Sequence, residues 1–556
     1  MSTNTAKKRI YAPPPKHSGK RGAEKTAKSA DPFSAAMARN DIAAARRSLV
    51  THPPKHDWEK FNRVAVLSLA EKKLKESEAW LRKAVAYADC GFDPYRNLTT
   101  LLCEQGLLRD ALPFAKTAHE MQPDHVPTGM NYVNCLLDQA RSKELIAVCD
   151  HFLQKDPKDK QFRLAKASSF RFQGRFNEAF LLLDEVLADF PEDLVAMRLQ
   201  ADVVAERDSA AGVVLYNNAL KKYIEVKGKP DIALQWNMCL HLLRTRDFER
   251  GWKYWELGFH RDVGTMGRTV PKQLDKAPRA DRLDKIDTDK WTMVCVEQGI
   301  GDQVLFLTGM ADAIDEFKKI ILVCESRMEP ILKRSFPQVQ TIQPGMLEGW
   351  TSCHLPNNGF IPLGSLLPRY RPTVESFEKA RKPILQANGD IYHQAVKQLR
   401  ERAQGRPIVG ISWKGGFWEN QLRNKALEIS NWLPIFEQGA LCVNLQYGDT
   451  SAEQKYIQEL GYEMVSFNDL DFKKDIDAWT AIAVACDGII SVSTALVHFA
   501  GACGQKVGVI MPEPQGPWIL GMEDEWSLAY PEVAIFRKER NESIRSLVDR
   551  VARVIV

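Results

Sequence analysis

The sequence predicts an α-solenoid of helical repeats followed by two α/β lobes built on parallel sheets. Three observations carry this. In the first half prolines recur at a fixed step, at Pro123, Pro157 and Pro191, spaced by 34 and 34. Beyond Lys290 short β-branched runs alternate with helical patterns, the mark of parallel strands joined by helical crossovers. Two matching strand–turn–helix stretches stand about 190 residues apart: Trp291-Thr-Met-Val-Cys-Val-Glu-Gln298 entering Gly299-Ile-Gly301-Asp302, and Asp487-Gly-Ile-Ile-Ser-Val492 entering Ser493-Thr494-Ala495-Leu-Val-His498. Each sets backbone N–H groups and the positive end of a helix dipole at the carboxyl edge of a sheet. Two such sites predict two Rossmann-like lobes facing each other across a cleft.

At 556 residues the chain is long enough for two to four domains with separate cores. Apolar residues make up 44% and charged residues 26%, values ordinary for a globular protein. Residues 1–30 carry eight Lys or Arg against one acid, Glu24, so the formal charge of +5 resides there and the remainder is near neutral. That argues against a broad nucleic-acid face. Residues 1–32, with Pro13-Pro14-Pro15, read as a disordered basic tail, without the apolar stretch of a secretory signal. No run of about 20 apolar residues exists to span a membrane. The eleven cysteines are scattered in apolar segments without a Cys-x-x-Cys pair, which predicts reduced buried thiols and a cytoplasmic protein. No histidine or cysteine spacing suits a metal, and no cofactor is expected.

The repeat array is expected over 33–260. The 34-residue step of the prolines is shared by Gly106, Ala140 and Gly174, and by Ala111, Leu145 and Ala179. A small turn residue, a small contact on the second helix and a terminating proline form the tetratricopeptide pattern. Full units fall at 93–124, 125–158 and 159–192, with a weaker unit at 58–89 and a last one at 234–259. Arg246 follows Gly174 by 72 residues, four more than two periods, which places an insertion near 226–230. Such an array buries its apolar faces only by stacking, and its concave side suits a protein partner.

The polar stretch 261–290 is expected as a linker or a surface excursion. The first lobe is placed at 291–385 and the second at 386–556, joined through 383–406. Strands are expected at 292–297, 320–324, 408–413, 441–446, 463–467, 488–492 and 507–511, with helices at 303–317, 430–437, 452–460 and 477–486.

Gly299-x-Gly301-Asp302 and Ile490-Ser-Val-Ser-Thr494-Ala-Leu-Val-His498-Phe-Ala-Gly501-Ala-Cys-Gly504 resemble the two hallmark stretches of bacterial heptosyltransferase-like glycosyltransferases of family nine. Over 58–540 the chain resembles bacterial tetratricopeptide-repeat proteins fused to such a domain. Gly251-Trp252, Val409-Gly-Ile-Ser-Trp413, Asn444-Leu-Gln446, Trp518, Tyr530-Pro531 and Phe536-Arg537 add to the likeness. The resemblance implies a GT-B-like pair of lobes and metal-independent sugar transfer from a nucleotide-sugar to a protein or glycan acceptor. It also implies Asp302 as the general base. One departure stands out: relatives often carry Asp-Thr where this chain has Ser493-Thr494, so the donor loop has one carboxylate fewer.

Sugar transfer without a metal needs backbone amides, hydroxyls and cations to meet the charge of the leaving diphosphate. Ser493, Thr494 and Ala495 stand where the second-lobe helix opens, and His498 lies one turn further along its face. Lys414, Arg423 and Lys425 belong to a Gly-containing loop after the strand 408–413 and suit phosphate neutralisation. Gln446 and Tyr447 end another second-lobe strand, in the neighbourhood expected for the nucleotide base. Gly299 and Gly301 form the first turn, with Glu297 and Gln298 as acceptor-side candidates. Asp302 doubles as a residue favoured at helix starts. Asp469-Leu-Asp471 has a spacing used by metal-dependent transferases but is short enough to arise by chance.

The alternative is a non-catalytic scaffold that retains the transferase fold as a binding module. A dinucleotide oxidoreductase is excluded because Gly299-x-Gly301 continues into Asp302-Gln303-Val304 without a third glycine.

Overall fold

The computed structural model describes residues 31–264, 267–274, 277–280, 286–347, 359–415, 426–512 and 516–556. The tail expected over 1–32 lies outside the described residues except at Asp31 and Pro32, which cap and open the first helix. Two compact units divide between Val203 and Val204.

The first unit is helical. Its helices are α1 (Pro32–Ala38), α2 (Ile42–Thr51), α3 (Asp57–Ala70), α4 (Leu74–Val85), α5 (Phe92–Glu104), α6 (Leu108–Met121), α7 (Val126–Asp138), α8 (Ser142–Lys155), α9 (Lys160–Phe172) and α10 (Phe176–Asp189). They pair as successive hairpins from α1/α2 to α9/α10, and α11 (Leu194–Ala205) follows across the division. Pairs α5/α6, α7/α8 and α9/α10 occupy the three full units expected from the period, and α3/α4 the weaker one. The hairpin α1/α2 precedes them, inside the expected 33–260 array but with no unit assigned to it, and its turn is at left-handed Asn40.

Both turns of the repeat have a physical cause. Within a unit, Gly106, Ala140 and Gly174 adopt left-handed backbone with φ of 76°, 56° and 76°. The residue after each donates its N–H back across the turn, Leu107 to Leu102, Arg141 to Leu136 and Arg175 to Phe170, at 2.9 Å in all three. This is the Schellman closure of a helix C-terminus. Between units, Gln122, Asp156 and Phe190 precede the periodic prolines and have φ between −132° and −138°. Proline forces its predecessor out of helical backbone, so each second helix stops there. Ala111, Leu145 and Ala179 have no exposed surface at the hairpin contacts.

The second unit opens with α12 (Ser209–Lys227), α13 (Ile232–Arg244) and α14 (Phe248–Trp255). The repeat part was expected to extend as one body to 260, whereas these helices belong to the unit that contains the sheets. The slip in period is absorbed by α12, which has 19 residues against 14 in α6, α8 and α10 and ends at left-handed Gly228. That is where the insertion was expected.

Two parallel sheets follow. The first contains β1 (Thr292–Cys295), β2 (Ile320–Val323), β3 (Gln340–Ile342) and β4 (Phe360–Pro362) in the order β3-β2-β1-β4. The second contains β5 (Ile408–Ser412), β6 (Leu441–Asn444), β7 (Met464–Val465), β8 (Gly488–Val492), β9 (Val507–Met511) and β10 (Val533–Arg537) in the order β10-β9-β8-β5-β6-β7. Every named strand pair is parallel. The second order is that of a doubly wound sheet, with its direction of winding reversing between β5 and β8. Strands β5, β8 and β9 are wholly buried apolar runs, as parallel sheets covered on both faces require. Strands β3, β4 and β10 were not anticipated. The helix expected over 303–317 breaks into α15 (Ile300–Phe306), a 3₁₀ turn (Leu307–Gly309) and a further helix (Met310–Glu316).

The stretch 261–290, expected as a linker, instead supplies a buried cation among its described residues. Arg268 donates from Nε to Glu297 Oε2 at 2.8 Å and from Nη2 to Glu297 Oε1 at 2.5 Å, and both side chains are fully buried. Arg268 Nη1 also pairs with Glu256 at 2.9 Å, just beyond α14, and Nη2 donates to Ser365 Oγ at 3.0 Å. Gly364 N donates to Glu297 Oε1 at 2.6 Å. The guanidinium lies 4.6 Å from the Trp255 ring centroid and 4.2 Å from that of Phe259.

Around this network an aromatic cluster joins α13 and α14 to both lobes. Trp252 packs on Trp255 and Trp518 at centroid distances of 5.5 and 5.6 Å, Trp255 on Phe306 at 6.0 Å, and Phe248 on Phe377 at 5.2 Å. The indole N–H groups of Trp252 and Trp255 donate to Arg371 O and Gly364 O at 2.8 and 2.9 Å, leaving neither buried donor unpaired.

The ten described cysteines are free thiols and nine are buried. Burial pushes the Cys324 and Cys503 thiols up to about 12. Among the described residues no helix is long and apolar enough to cross a membrane.

Two substitutions test these assignments. Gly174→Ala puts a Cβ on left-handed backbone and is expected to lower stability by about 1 kcal/mol in urea titration, whereas Ala140→Gly loses nothing. Arg268→Met strands the Glu297 carboxylate in the core and is expected to lower stability by about 3–5 kcal/mol. Thermal unfolding followed by near-UV circular dichroism at fixed pH checks the second.

Candidate functional site

In a doubly wound sheet the winding reversal opens a crevice beyond the carboxyl ends of the two strands involved. Here those strands are β5 and β8. The segment after β5 begins Trp413-Lys414-Gly415, and the turn after β8 is Ser493-Thr494. The sequence signature and the topological crevice therefore coincide.

Several expected binding groups at this edge are engaged internally. Gln446 Oε1 accepts from Ser412 Oγ at 3.1 Å, Trp413 N at 3.1 Å and Lys414 N at 2.9 Å. Gln446 is buried, and it holds the end of β5 to the end of β6. Lys414 Nζ pairs with Glu453 Oε1 at 2.7 Å, and Lys473 Nζ lies 5.2 Å from the Tyr447 ring centroid. Desolvation raises the Glu453 carboxyl, but the bonds from Lys414 and from the backbone outweigh it and hold the group below the usual range. Arg423 and Lys425 lie outside the described residues.

Ser493 and Thr494 are buried at the start of the helix Ala495–Ala502. Thr494 is its N-cap, and no side chain caps the first turn, so its opening N–H groups face the crevice edge without a side-chain acceptor. Thr494 Oγ1 and Ser491 Oγ are 3.2 Å apart. A methyl group at Gly415 would stand 2.5 Å from Thr494 Cγ2, so only glycine lets the β5 segment lie this close.

The two glycine-turn signatures meet. A methyl group at Gly301 would stand 3.1 Å from His498 Cδ2, 3.5 Å from Ala495 Cα and 3.6 Å from His498 Nε2. Helix α15 thus packs directly on the helix Ala495–Ala502. The open cleft expected between the lobes is replaced at this point by van der Waals contact, because two small residues, Gly301 and Ala495, bring the helices together. His498 is buried, and its Nδ1 shares a hydrogen bond of 3.0 Å with Tyr530 Oη. Burial, and then the negative charge of Asp302, push the Tyr530 phenol well above its ordinary value, so it stays protonated. Asp302 Oδ2 reaches back to within 3.4 Å of a methyl position at Gly299, the N-cap of α15. His498 and Tyr530 therefore form a bonded pair within reach of the Asp302 charge, and of these three only Tyr530 escaped the sequence-based choice of site residues.

The remaining candidates divide clearly. Glu297, expected on the acceptor side, is consumed by Arg268 and the Gly364 amide. Gln298 has φ of 63°, a conformation that costs a non-glycine residue energy and is concentrated at functional sites. Asp471 accepts from Lys473 N at 3.0 Å and pairs with Lys474 at 3.4 Å, the behaviour of a turn residue. Among the described residues no cluster of His, Cys, Asp and Glu is placed to hold a metal.

No protein-family model matches this chain. Among curated proteins, Protein FlbA of Caulobacter vibrioides is 28% identical over 281 residues, which is 47% of this chain and 46% of that protein. The chain thus spans about half the length of the curated relative it matches. Solved structures similar to it include a tetratricopeptide repeat protein from Parabacteroides merdae, at 15% identity and a TM-score of 0.33, covering 40% of this chain and 88% of that one. Another is YrrB, described as a TPR protein with an unusual peptide-binding site, at 16% identity and a TM-score of 0.26, covering 29% of this chain and 83% of that one.

Tyr530→Phe removes the phenol from His498 Nδ1 without changing the packing volume. It is expected to cost about 1–2 kcal/mol in chemical denaturation, the usual result of unpairing a buried polar atom. Unchanged stability would show that the His498–Tyr530 bond does not hold the two signatures together.

Proposed function

We propose that this protein is a glycosyltransferase of the GT-B type, which moves a sugar from a nucleotide-sugar to a protein or glycan acceptor held by the repeat array. The observation that carries the proposal is a coincidence of position. The uncapped first turn of the helix Ala495–Ala502 opens at the winding reversal of the second sheet, and α15, which carries Asp302, is packed against that same helix. The backbone amides of Thr494 and Ala495, with the Ser493 and Thr494 hydroxyls, are positioned to meet the charge of a leaving diphosphate. Lys414, a cation just after β5, exchanges Glu453 for phosphate when donor binds. Asp302 accepts the acceptor hydroxyl's proton, and the His498–Tyr530 pair holds the helix in register. No metal enters this scheme.

One observation favours the alternative, a scaffold that binds without transfer. At Gly301 the two signatures touch, so the turns are closed on each other at this point, although Asp302 itself is exposed.

Calorimetry with uridine, guanosine, cytidine and adenosine nucleotides, followed by hydrolysis assays on the matching nucleotide-sugars, distinguishes the two. Thr494→Ala is expected to weaken nucleotide diphosphate binding about 10-fold or more, the value of a hydrogen bond to a charged group. Asp302→Asn is expected to retain binding and to lower turnover at least 100-fold. Nucleotide binding with no turnover in the unmodified protein supports the scaffold. The absence of binding heat for every nucleotide would sink the transferase reading.

A further inference from the structure

A concavity lies at the carboxyl edge of the first sheet, on the side of the Gly299–Asp302 turn where Glu297 and Gln298 were expected to face an acceptor. It encloses about 320 Å³ beyond the ends of β1 and β2. Its polar wall is made by Thr269, Gln273, Gln303 and Glu325, and its apolar wall by residues such as Val270 and Pro271. The strained Gln298 sits at its rim and is held by Thr269 O, which accepts from Gln298 N at 3.0 Å.

One group in this wall is unpaired. Gln303 is 2% exposed, and its Oε1 has no hydrogen-bond partner among the described residues. Its amide nitrogen is spent on two long bonds, to Gln298 O at 3.3 Å and Glu325 Oε1 at 3.4 Å. A buried amide oxygen without a donor is rare in a native protein and points to a partner that enters from outside. The long Nε2 bonds leave the amide free to turn toward that partner.

The charge of the wall selects the partner's class. Among the described lining residues there is no Lys, Arg or His, so nothing neutralises a phosphate or carboxylate. The two carboxylates are already matched, Glu297 by Arg268 and Glu325 by Arg327 Nε at 2.8 Å, so a cation finds no unpaired charge. What remains is a set of amides, a hydroxyl and a carboxylate edge beside an apolar surface. Vicinal hydroxyls satisfy such groups in pairs, while ring C–H bonds lie on valine and proline.

We propose that this pocket binds a neutral polyhydroxylated molecule, a sugar ring or cyclic polyol, with Gln303 Oε1 accepting from one of its hydroxyls. The pocket adjoins the acceptor side of the proposed transferase, so the proposal deepens that reading and rests on it in naming the acceptor, but sugar binding here is read without nucleotide or turnover. Loss of nucleotide binding in Thr494→Ala leaves it untouched, because none of the pocket residues belongs to the Thr494 turn.

Saturation-transfer NMR on the full chain tests it, with methyl α-D-glucopyranoside, methyl α-D-mannopyranoside, N-acetyl-D-glucosamine and myo-inositol as probes. Inorganic phosphate and spermidine serve as charged comparators. At least one neutral probe is expected to bind, with affinity reduced 10-fold or more in both Gln303→Leu and Thr269→Val. Thr269→Val preserves shape at the pocket wall and guards against misfolding of the first variant, and far-UV circular dichroism checks both. The proposal is overturned if no neutral probe binds, if binding survives in both variants, or if phosphate or spermidine binds in a Gln303-dependent manner.

Discussion

The second unit depends on a pair of opposite charges taken completely out of water. Arg268 and Glu297 have no exposed side-chain surface, and a lone charge in that position would be strongly destabilising. The pair is tolerated because its remaining hydrogen-bonding capacity is met by Glu256, Ser365 and the Gly364 amide. Those partners come from the end of the last helical hairpin and from the turn after β4, while Glu297 itself stands at the end of β1. Their convergence on one guanidinium sets how these elements stand relative to one another. It also explains why α13 and α14 group with the sheets and not with the hairpins that precede them. The tryptophans of the hairpin then fill the space between the lobes, with Trp252 and Trp255 reaching Trp518 at 5.6 and 6.2 Å.

Against that frame, the contact of the two glycine-turn signatures acquires a physical meaning. Small residues at Gly301 and Ala495 bring two helices to van der Waals distance, and the His498–Tyr530 bond closes one side of the junction. The Tyr530 phenol is held protonated by burial and by Asp302, so the junction contains a donor that does not titrate near neutral pH.

Polar side chains chosen for a site compete with the structural needs of the strand ends that carry them. Gln446, Lys414 and Glu297 all stand at carboxyl ends of parallel strands, where backbone N–H groups lack ladder partners. Gln446 gives its carbonyl to two such N–H groups, and Glu297 gives an oxygen to a third. The first lobe leaves the opposite imbalance at Gln303, where an amide oxygen is left over once the backbone has been served.

Local chemistry was enough to determine the repeat array and the parallel lobes. A glycine or alanine at the turn and a proline 17 residues later act on their own backbone, so the period Pro123, Pro157, Pro191 translates directly into helix ends. The long buried strands β5, β8 and β9 and the turns after β1 and β8 were legible for the same reason, since apolar runs and helix-opening residues are properties of short segments. Tertiary structure alone decided the role of Arg268, whose partners lie 12, 29 and 97 residues away and share no pattern with it. It likewise decided the strands β3 and β4, three residues each and too short to show alternation, and the touching of Gly301 and His498. Charges and glycines announce that they are present, but which of them meet is set by packing across the whole unit.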